Sequence, residues 1–166
     1  KDGPGAHPTL DVAEVDVRAG LGLMGDRYFG VAAHFNAQVT IVAWEVFAEV
    51  QRTLGRDDLS PALMRRNIVV EGIPLNQLIG QEFVLVDANG AAVRLLGASH
   101  CAPCAWMDAA LGPGAWQSLK GRGGLRAALS GSAPHEAQRN HVLRSGLFGR
   151  RLLHLAQADH GERRAQ

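Results

Sequence analysis

The stretch "EFVLVDANGAAVRLLG" at residues 82–97 reads as two short apolar strands joined at Asn89-Gly90. Asn-Gly tolerates the positive φ angles of a tight turn, so the segment predicts a β-hairpin. The flanks are strand-like too. Upstream, "NIVVEG" (67–72) is an apolar strand followed by a short helical turn over "PLNQLIG". "QVTIVA" (38–43) is a β-branched run and reads as a buried strand. "WEVFAEVQRTLG" (44–55) then switches to helical spacing, with Trp44, Phe47, Val50 and Leu54 on one face and Gly55 as the stop. "TLDVAEVDVR" (9–18) alternates apolar and acidic residues imperfectly, which predicts one half-buried strand with an irregularity. Downstream come a helical piece around "PGAWQSLKGRG" and a strand at "GLRAALSG" (124–131). From Ser132 the periodicity weakens, and "GRRLLHLAQADHGERRAQ" reads as a short helix fading into a polar tail. Short strands interrupted by a few short helices predict a mixed α/β, mainly β fold, a largely antiparallel β-barrel rather than a doubly wound sheet.

The chain of 166 residues is 46% hydrophobic, enough for one domain with a real core, so a single domain over 1–166 is expected. Seventeen basic against sixteen acidic residues leave a net charge of +1. No field of one sign exists to recruit nucleic acid or an anionic membrane, and a small ligand or a protein partner is expected instead. No apolar run is long enough to cross a bilayer, and "KDGPGAHPTL" lacks the apolar core of a signal peptide, which points to the cytoplasm.

The segment "HCAPCAWMD" (100–108) holds both cysteines of the chain. A loop that short removes little unfolded-state entropy, so it makes a poor disulfide staple. The pair sits where the hairpin's second strand ends and a helix begins, a place that favours a thiolate at Cys104. Redox exchange, zinc ligation and ligation of a softer metal all suit such a thiolate. An inert packing role is the competing reading, because cysteine is among the most buried residue types. Zinc is half-specified: His100 is adjacent, but His135 and His141 are spaced H-x5-H, outside the usual ligand spacing. Thioredoxin-like C-A-P-C chemistry belongs to an early βαβ unit, whereas this motif follows a hairpin.

"GLMGDRYFG" (22–30), "LMRRNIVVEGIPLNQLIGQEFVL" (63–85), "LLGASHCAPCAWMD" (95–108) and "GRGGLRAALSG" (121–131), in this order, resemble the MOSC family. That domain closes molybdenum cofactor sulfurases and also occurs as small free-standing bacterial proteins. The resemblance covers about residues 9–131; residues 132–166 depart from the family's usual closing strand and Gly-Asp turn, and form an atypical C-terminal segment. It implies a MOSC-like β-barrel, a pyridoxal phosphate-independent protein, and a site for the molybdenum cofactor (molybdopterin). In the family the late cysteine is the sulfur carrier or the molybdenum ligand, and it commonly follows a proline. Pro103-Cys104, with Trp106 and Met107 after it, therefore selects Cys104 as catalytic residue and molybdenum ligand. Thiolate is a soft ligand suited to that metal. Cys101 is left as a packing residue or a resolving thiol.

The cofactor's phosphate and polar pterin need partners. Arg65, Arg66 and Asn67 stand just before a buried strand, where a barrel rim projects side chains toward a ligand. Two adjacent arginines also read as solvated charges at a helix C-terminus. Neighbours on a strand face opposite ways, so one of the two is expected to reach the site; the family's R-x-N pattern selects Arg65. In "GDR" (25–27), Asp26 serves equally as a turn residue or a ligand contact, and Arg27 leans to the ligand. His34 lies in "VAAHFNAQ", which lacks the two glycines of some members. In "GRGGLRAALSG", Gly123-Gly124 permits close backbone approach, and Arg126 is a further anion contact beside Arg122. The implied activities are sulfur transfer, or reduction of N-hydroxylated bases and amidoximes, with electrons or sulfur from a separate donor protein. A non-catalytic cofactor carrier, and a zinc-binding or dithiol redox module using Cys101 and Cys104, are the alternatives.

Overall fold

The computed structural model describes residues 9–86, 90–130, 141–144 and 152–156. Two strands, β1 (Thr9–Val12) and β2 (Glu14–Arg18), open the fold, followed by the short β3 (Gly22–Leu23). β4 (Val39–Ala43) leads directly into helix α1 (Trp44–Leu54), and β5 (Ile68–Val70) follows. The hairpin strands are β6 (Glu82–Val86) and β7 (Ala92–His100), with helices α2 (Met107–Leu111) and α3 (Ala115–Leu119) after them. β8 (Leu125–Leu129), β9 (His141–Arg144) and β10 (Leu152–Ala156) complete the set. The strands form a curled seven-stranded sheet in the order β1-β10-β5-β4-β8-β7-β6 and a three-stranded sheet in the order β3-β2-β9. The expected mixed, mainly β, barrel-like fold is what is observed. Among the described residues no helix is long and apolar enough to cross a membrane.

Strand pairings are antiparallel except β4 with β5, where α1 supplies the crossover that parallel neighbours require. That placement explains the unbroken apolar runs in these two strands. Ile41, Ile68 and Val70 face the core between the sheets, while Val42 and Val69 face a second core made with the helices. Phe47 and Val50 of α1 fill this second core together with Met107, Leu111 and Leu119. Phe47 is fully buried, so Phe47→Ala would cost about 3–5 kcal/mol. Gly55 ends α1 in the left-handed conformation, as its position predicts.

Two expectations are corrected. Residues 9–18 form two strands rather than one, because β1 joins the large sheet against β10 and β2 joins the small sheet against β9. The hairpin expected over 82–97 does form, its ladder running from Glu82↔Leu96 to Val86↔Ala92, a register centred on residue 89. Gly90 does hold a positive φ of 82°, whereas Asn89 lies outside the described residues. The helix expected near the end of the chain is instead strand β10, which inserts between β1 and β5. Backbone partners on both sides override a weak local pattern.

One irregularity positions the site. A bulge between Gly97 and Ser99 shifts the β7 register so that Ser99, rather than Ala98, stands opposite Arg126. Thr40 pairs with Arg126 from the other side, giving a row Thr40, Arg126, Ser99 across β4, β8 and β7.

Candidate functional site

That row forms one wall of a cleft of about 650 Å³, and the residues Asp26, Arg27, Arg65, Arg66, Asn67 and Cys104 join Arg126 in lining it. All seven residues singled out in the sequence thus border one cavity, although they come from four separate segments. The protein's net charge is only +1, yet this lining carries four arginines and a single carboxylate, Asp26.

The carboxylate is engaged in the scaffold. Asp26 Oδ1 accepts from the Tyr28 backbone N–H at 2.9 Å, and Oδ2 accepts from Asn67 Nδ2 at 2.9 Å. Asn67 Oδ1 in turn accepts from the backbone N–H and hydroxyl of Thr40, at 2.9 and 2.8 Å. Of the two readings of Asp26, the turn role is therefore the one the hydrogen bonds express.

Arg65 and Arg66 precede β5 instead of lying on it, so strand alternation does not divide them and both reach the cleft. Their tasks differ. Arg66 is 7% exposed, and its fork donates to the carbonyls of Gly123 (2.9 Å), Met64 (3.0 Å) and Ala102 (3.3 Å). It ties the β5 entry, the cysteine segment and the β8 entry into one frame. Arg65 caps the turn Pro61–Met64 in the left-handed conformation, at φ 57°, which no other non-glycine residue among the described residues adopts. Such strain persists where the surroundings impose it, and it clusters at functional sites. Among the described residues, Arg27, Arg65 and Arg126 make no ion pair.

Aromatic rings flank two of these cations. The Arg65 guanidinium carbon lies 5.1 Å from the Trp106 ring centroid, and that of Arg27 lies 4.5 Å from Tyr28. The Tyr28 ring also stacks on His34 at 3.9 Å. Burial, followed by the positive charge of Arg27, pulls the Arg65 guanidinium below its ordinary pKa, while Cys104 and Tyr28 oppose that shift. Arg65 therefore lies within electrostatic reach of both Arg27 and Cys104. The Arg27 Nε atom is buried and has no hydrogen-bond partner, a donor in want of an acceptor.

The two thiols are not equivalent. Cys101 is buried and Cys104 is exposed, and both are free. Residues 101–104 carry neither turn nor bend. Among the described residues no group of three or more His, Cys, Asp or Glu side chains could share a metal ion. His135, invoked for zinc, lies outside the described residues, as does the side chain of His141. Gly123 explains the close approach expected of Gly123-Gly124: a Cβ there would meet the Cys101 carbonyl oxygen at 2.4 Å. The neighbour is thus the protein's own backbone. Arg122 does not line the cleft; it forms a two-point ion pair with Glu49 on α1.

A family model described as the MOSC domain matches residues 23–157, well over half of the chain. The chain belongs to the MOSC domain family. That family is associated with the molybdenum cofactor. Among solved structures, this MOSC chain is similar to the YuaD protein from Bacillus subtilis, with 18% identity and a TM-score of 0.59 over 91% of this chain and 100% of the other. At that identity the likeness concerns the fold. No curated protein matches the chain. The MOSC match extends past residue 131 and takes in β9 and β10, so the segment that departs from the family's usual wording still contributes strands.

Several lining residues of the MOSC cleft escape a sequence reading: Tyr28, Thr40, Ser99 and Trp106. Tyr28 is the chain's one tyrosine and is adjacent to Arg27, and Trp106 follows Cys104 by two residues. Proximity in sequence was the available signal. Ser99 had none, because only the bulge brings it opposite Arg126.

Proposed function

We propose that this protein binds the pterin-based molybdenum cofactor in the arginine-rich cleft, with the Cys104 thiol meeting the molybdenum. The observation that carries this reading is the joint exposure of a free thiol and three guanidinium groups without carboxylate partners in one cavity. The fit is chemical as well as spatial. The unpartnered Arg27 Nε and the repulsion between Arg27 and Arg65 both call for an anion between them, which a phosphate supplies. Ser99 and Asn36 offer neutral polar edges of the kind a pterin ring requires.

When bound, the cofactor supplies a redox-active metal already held by its own dithiolene sulfurs, so one protein thiolate is a sufficient addition. Arg27, Arg65 and Arg126 hold the phosphate end, Asn67 and Asp26 fix the loop that carries Arg27, and Arg66 fixes the backbone that presents Cys104. Cys104 stands at the open side, where a separate donor protein can deliver sulfur or electrons. Sulfur transfer through a Cys104 persulfide and reduction of N-hydroxylated substrates both use this arrangement.

Metal analysis tests the reading. Protein made in cells that synthesise the pterin should carry molybdenum, and protein from cells that cannot should carry none. Cys104→Ser should lose the metal with the fold intact, and Cys101→Ser should lose far less. Absence of molybdenum from both preparations, or zinc in both, rejects cofactor binding.

A further inference from the structure

Arg27 and Arg65 are both placed against rings rather than carboxylates, and this has a chemical reason. A carboxylate partner would orient a guanidinium but occupy its N–H groups and cancel its charge. A ring face orients the same group through its quadrupole and leaves the in-plane N–H donors available. Arg65 on Trp106 and Arg27 on Tyr28 are two such stacks bordering one cavity, and the two cations are near enough to repel each other. Tyr28 is itself backed by His34, whose 3.9 Å stacking limits where the tyrosine ring can move.

We propose that Tyr28 and Trp106 are positioning residues that orient Arg27 and Arg65 as a two-armed clamp for the dianionic phosphate of a phosphate monoester. This deepens the cofactor reading and rests on it. Arg65 combines its ring contact with a left-handed backbone, φ 57°.

The test uses titration calorimetry on the whole chain with inorganic phosphate and glycerol phosphate as probes. Trp106→Leu and Tyr28→Leu should each weaken both probes about two- to fivefold, the loss of one partly exposed cation–π contact. Trp106→Phe and Tyr28→Phe keep a ring face and should bind within about twofold of the parent. Glycerol phosphate should bind at least as tightly as inorganic phosphate. Equal binding by the leucine variants, or a loss in the phenylalanine variants as large as in Arg27→Ala and Arg65→Ala, overturns the proposal, as does binding of inorganic phosphate alone. Where a leucine variant does not fold, the phenylalanine comparison decides. A protein that behaves as expected with phosphate yet retains no molybdenum sinks the cofactor reading and leaves the clamp; molybdenum retention without aromatic dependence sinks the clamp alone.

Discussion

Asn67 donates its side-chain N–H to Asp26 Oδ2 at 2.9 Å, joining the start of β5 to a loop 41 residues earlier in the chain. The same side chain accepts twice from Thr40, so three hydrogen bonds converge on one amide. At about 1 kcal/mol each, Asn67→Ala should lower stability by roughly 2–3 kcal/mol. Because the Asp26 loop carries Arg27, phosphate affinity should fall as well. Denaturant unfolding and calorimetry on the same variant check both; a destabilised protein with parental phosphate affinity would show that the loop does not aim Arg27.

Arg65 offers a separation of stability from binding. A left-handed non-glycine residue costs about 1–2 kcal/mol, which Arg65→Gly relieves, partly offset by glycine's greater unfolded-state freedom. The variant should melt at or above the parent temperature while losing phosphate affinity about tenfold or more, the worth of a charged hydrogen bond. Arg65→Lys should keep the strain and still bind more weakly, since a point charge cannot reproduce the fork. A lysine variant that binds as tightly as the parent rejects the fork.

For Arg66 the opposite pattern is expected. Its three side-chain hydrogen bonds all end on backbone carbonyls, so Arg66→Lys leaves at least one of these carbonyls unpaired and should cost about 1–3 kcal/mol of stability. Gly123→Ala attacks the same frame from the other side, because its Cβ would lie 2.4 Å from the Cys101 oxygen and 3.1 Å from the Pro103 nitrogen. Both neighbours are backbone, so the cysteine segment must shift. Thiol labelling rates at Cys104 should therefore change in Gly123→Ala, and parental rates would show that the segment does not move.

The Glu49–Arg122 pair gives a pH dependence whose sign is fixed. Hydrogen bonding from Arg122 holds the Glu49 carboxyl below its ordinary pKa. The stabilisation is therefore complete above the ordinary glutamate value and is lost as pH falls through the depressed one. Glu49→Gln should flatten the acid limb of a melting-temperature profile and leave the curve above pH 6 nearly parallel to that of the parent. Both side chains are well exposed, so added salt should shrink the difference. A variant with an unchanged acid limb shows that the pair contributes nothing to acid stability.

Local chemistry made much of this legible in advance. The β-branched runs of β4 and β5 and the apolar face of α1 follow directly from which surfaces they bury. Cys104, Arg65, Arg27 and Arg126 were singled out by residue type together with the family resemblance, and all four line the cleft. Long-range pairing was the hidden part. Nothing near residues 152–156 announces a strand, since its partners lie far away in β1 and β5. Likewise, Arg66 differs from Arg65 only through carbonyls at 64, 102 and 123, and no reading of two adjacent arginines distinguishes a frame from a fork.

The insertion of β10 between β1 and β5 also bears on how the chain acquires its fold during synthesis. β1 is made first, but its sheet partner spans Leu152–Ala156 and reaches β1 through the pairing Thr9↔Ala156. Until those late residues leave the ribosome, β1 has no neighbour in the large sheet, and the β5 edge facing it stays open. Nascent chains would then wait with an unpaired edge exposed, a state prone to association with other chains. Translation rate and chaperone supply would then influence how much folded protein is recovered.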